Sequence, residues 1–168
     1  MANRKIKRIL GLDLSIRQPG LAVVELRGDG LFLSYASTIT TDDRRGERDR
    51  YDHIAAWLRF TLHEQRFNID EIAREMTVRS RNMHTTRALF GVRAISEYVL
   101  RGTGIPVFDY TPKQVKKTLT GDGDAPKTAV LDAVLRYIPG AEFSSLDESD
   151  AAAVVIHHLL ATKQITRG

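Results

Sequence analysis

Four carboxylates stand out by position. Asp13 closes the apolar run Ile9-Leu10-Gly11-Leu12, so a strand there delivers its side chain to the edge of the core. Asp147 and Asp150 lie three residues apart, just before the nearly all-apolar stretch Ala151 to Leu160. On a helix, that spacing puts both on one face. Asp150 then falls in the first turns of a deeply packed helix, where a carboxylate is costly unless paired or bound to a metal. Glu75 follows Ile72-Ala73 and reads two ways. It is the end of a fourth strand beside Asp13, or one half of a surface pair with Glu71 on a helix. Each carboxylate also has a plain reading. Asp13 alone is a solvated strand end, Asp147 alone is a helix cap, and Glu148 dilutes the Asp147/Asp150 spacing. Brought into one cleft, the four would hold two Mg²⁺ ions about 3.5–4 Å apart, the arrangement that promotes in-line phosphodiester displacement. Hard dications need several oxygen donors and the negative charge they carry.

The basic residues suit an anionic substrate. Lys113, Lys116 and Lys117 fall within one predicted helix and Lys127 opens the next. Exposure is the usual fate of such lysines; phosphate contact, which positions a backbone without reading its sequence, is the functional reading. Arg79, Arg81, His84 and Arg87 form a second basic segment directly after Glu75. The run Asp42 to Arg50 carries both signs and reads as a solvated loop or first helical turn. The five histidines show no metal-ligand spacing, and Phe90 and Tyr98 fit the packing stripe of a helix.

These residues need elements to position them. The chain has 168 residues, 42% hydrophobic and 27% charged, with net charge +4 and no cysteine. That is the size and balance of one globular domain spanning 1–168. Disulfides, thiolate metal sites and cysteine nucleophiles are excluded, and no apolar run approaches a membrane span. A cytosolic setting is expected. Strands are predicted over 6–13, 21–27 and 31–39, with Gly28-Asp29-Gly30 as a hairpin turn between the last two. Helical periodicity predicts a helix over 50–66, another over 85–101 and a last one over 146–161. Residues 69–78 stay ambiguous between strand and helix. Residues 105–110 read as a short strand, Thr111-Pro112 as a capped helix start, and 125–137 as a helix. The expected fold is α/β: a mixed five-stranded sheet, three antiparallel strands and then parallel ones, with helices on both faces. The ribonuclease H-like topology has this order.

Over most of its length the sequence resembles the RuvC-type Holliday junction resolvases. Ile9-Leu10-Gly11-Leu12-Asp13 matches their first strand. Asp147-Glu148-Ser149-Asp150-Ala151-Ala152 matches their C-terminal acidic block. The stretch from Ile105 through Tyr110, Gln114-Val115-Lys116 and a glycine-containing loop to Lys127 matches most strongly. The resemblance implies a homodimeric, Mg²⁺-dependent endonuclease of DNA recombination and repair that cuts four-way junctions symmetrically, with Mn²⁺ as a substitute ion. It implies Asp13, Glu75, Asp147 and Asp150 as metal ligands. It implies Lys116 and Lys127 beside the active site, for phosphate binding or transition-state charge. It also implies that the helix carrying Phe90 and Tyr98 contributes to a dimer interface. Two departures are visible. Leu14-Ser15 stands where Pro-Gly is common, and Val78 where an aromatic often stacks on a base near the junction. The second leaves the cutting-sequence preference open and admits flaps, forks or other branched DNA. Such divergence suits a phage-like member.

Two other readings compete. A resolvase-like module that grips branched nucleic acid without cutting it fits the polar strand before Glu75 and the altered residues after Asp13. A sugar-kinase or actin-like phosphotransferase fits the Gly11–Asp13 opening. It would have to build two domains from 168 residues, and no second phosphate loop is present.

Overall fold

The computed structural model describes residues 6–64, 67–76 and 82–166. Its elements are β1 (Lys7–Asp13), β2 (Gly20–Arg27), β3 (Gly30–Thr38), α1 (Glu47–Arg59), a π-helical turn (Phe60–Glu64), β4 (Glu71–Glu75), α2 (Met83–Arg101), β5 (Val107–Tyr110), α3 (Pro112–Thr120), α4 (Lys127–Tyr137) and α5 (Leu146–Ala161). The sheet order is β3-β2-β1-β4-β5. β1 is antiparallel to β2, β2 is antiparallel to β3, and β1, β4 and β5 run parallel. This is the mixed sheet expected from the sequence.

Both faces of the sheet are covered, which is why β1 and β2 read as near-continuous apolar runs. Ile9, Ala22, Val24 and Ala73 pack with Val115, Val130 and the apolar side of α5. Leu10, Leu12, Leu21, Val23 and Ile72 pack with Ile54, Leu58, Val92 and Val99 of α1 and α2. Alternation therefore sends Asp13 and Glu75 toward α5, while Arg74 turns toward α2.

α5 is buried nearly all round, from Glu148 to Leu159 with Asp150 alone partly open. Two glycines admit it. A Cβ on Gly11 would overlap the Ala151 carbonyl oxygen, and a Cβ on Gly20 would overlap that of Asp147. The head of α5 thus rests on the backbone where β1 ends and β2 begins. Glu148 serves this helix start. Its Oε2 accepts from the Ser144 amide at 2.8 Å, and its own amide donates to Ser145 Oγ at 3.2 Å. Its nearness to the acidic pair is a capping arrangement.

Several boundaries differ from the periodicity reading. α1 begins at Glu47, inside the charged run, because polar residues on an exposed first turn leave no apolar signal. It ends at Arg59 and passes into the π-helical turn. α2 starts at Met83, where Asn82 Oδ1 accepts from the His84 and Thr85 amides. The ambiguous segment resolves as a strand, Glu71–Glu75, paired to β1 on one side and β5 on the other. Phe90 and Tyr98 are 51% and 72% exposed, so they lie outside the packing stripe to which the sequence assigns them. Among the described residues no helix is long and apolar enough to cross a membrane.

Candidate active site

β1 and β4 end side by side. Leu12 is the register partner of Arg74, so Asp13 and Glu75 are the next residues on each strand. α5 brings Asp147 and Asp150 over the same edge. Asp13, Asp147 and Asp150 each offer a carboxylate oxygen, and the three lie within 4.8 Å of one another. Glu75 stands outside that tight trio yet within its field. These are the carboxyl ends of parallel strands, the usual site of ligand crevices in α/β sheets.

A lysine bridges the cluster. Lys127, the first residue of α4, sets its Nζ 2.8 Å from Asp147 Oδ1 and 2.7 Å from Asp150 Oδ2. Burial works against its charge, but bonds to the two aspartates and the field of Asp13 raise its pKa.

Crowding shows in the acidities. Burial, then the charges of Asp150 and Asp147, push Asp13 up to about 7, although Lys127 pulls the other way. Burial and the charges of Asp13 and Asp150 push Glu75 up to about 8, against Lys116 and Lys127. Asp150 is also raised, by burial, despite its bonds to Lys127. The group is short of positive charge. Half-buried, convergent, oxygen-only donors that repel one another fit a hard divalent cation and give no thiolate or imidazole to a softer one.

The basic residues divide. Lys116 on α3 is half-buried and pulls the pKa of Glu75 and of Asp150 downward, so it faces the cluster. Lys113 and Lys117 are exposed on the same helix, and Lys113 pairs with Asp124 at 3.0 Å. α3 is held by a capping box between Thr111 and Gln114 with Pro112 in the first turn. His84 and Arg87 are exposed on the first turns of α2, Arg87 paired with Glu47 at 3.1 Å. Arg79, Arg81 and Val78 lie outside the described residues.

Two arrangements near the site were not foreseen. His158, fully buried, sets Nδ1 2.7 Å from the Tyr110 hydroxyl and Nε2 2.8 Å from Glu71 Oε2. Glu71 also takes Lys7 at 2.7 Å on its other oxygen. The chain joins the starts of β1 and β4 to the end of β5 beneath α5. The second is Arg74, described below. The only trace of it in the sequence is a cation between the apolar pair Ile72-Ala73 and Glu75. A cavity of about 710 Å³ lies at the β2–β3 hairpin, lined by Asp29, Arg136 and Lys163 among others. It sits at the opposite end of the sheet from the carboxylates.

A ribonuclease H-like sheet with a carboxylate trio at the end of its central strand defines a class, the nucleases of that fold. The family model "Crossover junction endodeoxyribonuclease RuvC" matches residues 9–158, and the chain belongs to that family. The crossover junction endodeoxyribonuclease RuvC of Bartonella tribocorum is 32% identical over 158 residues, 94% of this chain and 91% of that protein. Its counterpart from Agrobacterium fabrum is 31% identical over 155 residues, 92% and 90%. Among solved structures, Thermus thermophilus RuvC in complex with a Holliday junction substrate matches with TM-score 0.83 and 25% identity, covering 94% of this chain and 96% of that one. A yeast mitochondrial Holliday junction resolvase shares the fold, with TM-score 0.59 and 16% identity.

Proposed function

We propose that this chain resolves four-way DNA junctions, and related branched DNA, by metal-dependent hydrolysis of the phosphodiester backbone. The observation that carries the reading is the convergence of Asp13, Asp147 and Asp150, bridged by Lys127, at the end of β1. Asp13, Glu75, Asp147 and Asp150 would hold two divalent ions, Mg²⁺ with Mn²⁺ as substitute. When bound, such ions supply an activated water and a charge clamp on the leaving oxygen.

The protein's own groups do the rest. The ligands would bind only as carboxylates, so Asp13 and Glu75 would serve in their deprotonated forms. With a cation neutralising Asp147 and Asp150, Lys127 would be free to hold its ammonium at the scissile phosphate, where transition-state charge develops. Lys116 neutralises the same phosphate from α3. Lys113 and Lys117, with Arg79, Arg81, His84 and Arg87, grip the flanking backbone and set its register. Residues 1–168 act as one nuclease domain, and two copies place two such sites on one junction. The exposed Phe90 and Tyr98 of α2 support a helix-to-helix contact between copies.

The test is cleavage of labelled synthetic four-way junctions in Mg²⁺ and in Mn²⁺, with duplex and flap controls and Asp13→Asn in parallel. Paired symmetric nicks that vanish in the variant support the reading. Binding without cutting in either metal replaces it with a junction-binding module that has no chemistry. Cutting of flaps as readily as junctions keeps the chemistry and widens the substrate.

A further inference from the structure

We propose that Arg74 is a positioning residue for Glu75: it fixes the end of β4 and so sets how tightly the site holds its divalent metal. The proposal rests on the reading of Glu75 as a ligand. Arg74 directly precedes Glu75 and points to the opposite face, where its side chain is 3% exposed. Its Nε lies 2.8 Å from Asp109 Oδ1, and its Nη2 lies 3.2 Å from Asp109 Oδ2 and 2.8 Å from Glu97 Oε2. Its Nη1 lies 3.2 Å from Ser96 Oγ. Asp109 belongs to β5, and Ser96 and Glu97 to α2. Arg93 of α2 closes the group with Nη2 2.9 Å from Asp109 Oδ2. One guanidinium therefore clamps β4 to its neighbouring strand and to the helix beneath.

The clamp sits where the ladder runs out. Pairing of β4 with β1 ends at Leu12 and Arg74, so Glu75 has no ladder partner on that side. On the other side it has Tyr110, whose carbonyl also accepts the Met76 amide at 2.6 Å. Glu75 meanwhile faces Asp13 and Asp150 across the site, and like charges drive it away. Lys116 and Lys127 offset its charge only in part, whereas the Arg74 head group lies on the other face, matched by two carboxylates. Arg74 thus acts through the backbone rather than through its field. An apolar residue would fill this spot at less desolvation cost. What the planar fork adds is fixed geometry, held against two carboxylates at once.

Four variants test it: Arg74→Met, Arg74→Lys, Glu97→Gln and Glu75→Gln. Mn²⁺ binding is read directly from the resonance of the free ion. Junction binding without divalent metal, the metal dependence of cleavage and thermal stability are read alongside. Arg74→Met is expected to weaken Mn²⁺ binding about tenfold, the loss typical when an outer partner of a metal site is removed, with junction binding unchanged. Arg74→Lys keeps the charge, loses the fork and falls between. Glu97, 56% exposed, can be changed without stranding a buried cation, and Glu97→Gln is expected to weaken Mn²⁺ binding roughly two- to threefold. Should Arg74→Met fail to fold, Glu97→Gln decides alone. Wild-type Mn²⁺ affinity in the folded variants, with stability alone reduced, overturns the proposal. If Glu75→Gln itself binds Mn²⁺ as wild type does, the ligand reading of Glu75 fails and the proposal with it. If Glu75→Gln loses the ion while the folded Arg74 and Glu97 variants do not, only the proposal fails.

Discussion

Gly11 of β1 lies against the backbone of Ala151 in α5, with no space for a side chain between them. The next position on that face of β1 is Asp13, and the residue before Ala151 is Asp150. The close approach therefore sets the spacing of the acidic cluster. Gly11→Ala forces a Cβ into a main-chain oxygen, which cannot swing aside as a side-chain tip can. Overpacking of this kind costs typically 1–3 kcal/mol, and a backbone clash belongs at the upper end. The expected result is a lowered urea midpoint, together with a cleavage rate that falls more than the folded fraction does. A variant that loses stability but cuts at the full rate per folded molecule would show that α5 can retreat without opening the site.

Asp13→Asn separates chemistry from folding. The asparagine keeps the shape and removes one charge from a crowded group, so the metal-free protein is expected to melt at a higher temperature than wild type. Junction binding without metal is retained. Cleavage falls by more than about 100-fold, beyond the range for an outer partner of a metal site. Differential scanning calorimetry and gel assays on one preparation check both halves.

The pH dependence follows from the sign of the shifts. Asp13 and Glu75 are raised in the folded protein, to about 7 and about 8. Folding therefore disfavours their charged forms. At a pH below their unfolded values of about 4 they contribute nothing. The penalty grows as pH rises toward the folded values and is complete above them. The metal-free protein is expected to lose melting temperature between about pH 5 and 9, and millimolar Mg²⁺ to restore it most at the alkaline end. A metal-free melting temperature that rises steadily through this window would contradict the acidities.

Lys113 and Lys117 should differ in the salt dependence of junction binding. Each phosphate contact removed lowers the slope of log K against log salt by roughly 0.9 on duplex DNA. Lys113 is already paired with Asp124, an exposed pair worth little by itself. Part of its charge is spoken for, so Lys113→Ala is expected to change the slope less than Lys117→Ala. Titrations across a salt series, with no divalent ion present, measure both.

His158 tests the buried polar chain beneath α5. His158→Leu removes the partner of the Tyr110 hydroxyl and one of the two donors to Glu71 Oε2, which keeps Gln164 Nε2 at 3.2 Å. Leaving the hydroxyl without its partner costs about 1–3 kcal/mol. Urea unfolding should show the loss, and junction affinity measured on the folded fraction should not change.

The sequence by itself determined four of the five strands. Alternating and continuous apolar runs, the glycine turn at 28–30 and the Thr111-Pro112 helix start are local signals, and local physics reads them. It also determined where Asp13, Asp147 and Asp150 sit along their elements, because a carboxylate at the edge of an apolar run has few ways to lie. Three things waited for the tertiary structure. Glu71 to Glu75 is a strand because β1 and β5 flank it, and no periodicity within those five residues says so. Phe90 and Tyr98 share the spacing of the packing stripe yet point outward, since which arc of a helix is covered depends on the neighbour that covers it. Arg74 and His158 are buried through bonds to residues far away in the chain. The partners that make such burial tolerable, Asp109 at 35 positions and Glu71 at 87, are brought close only by the fold.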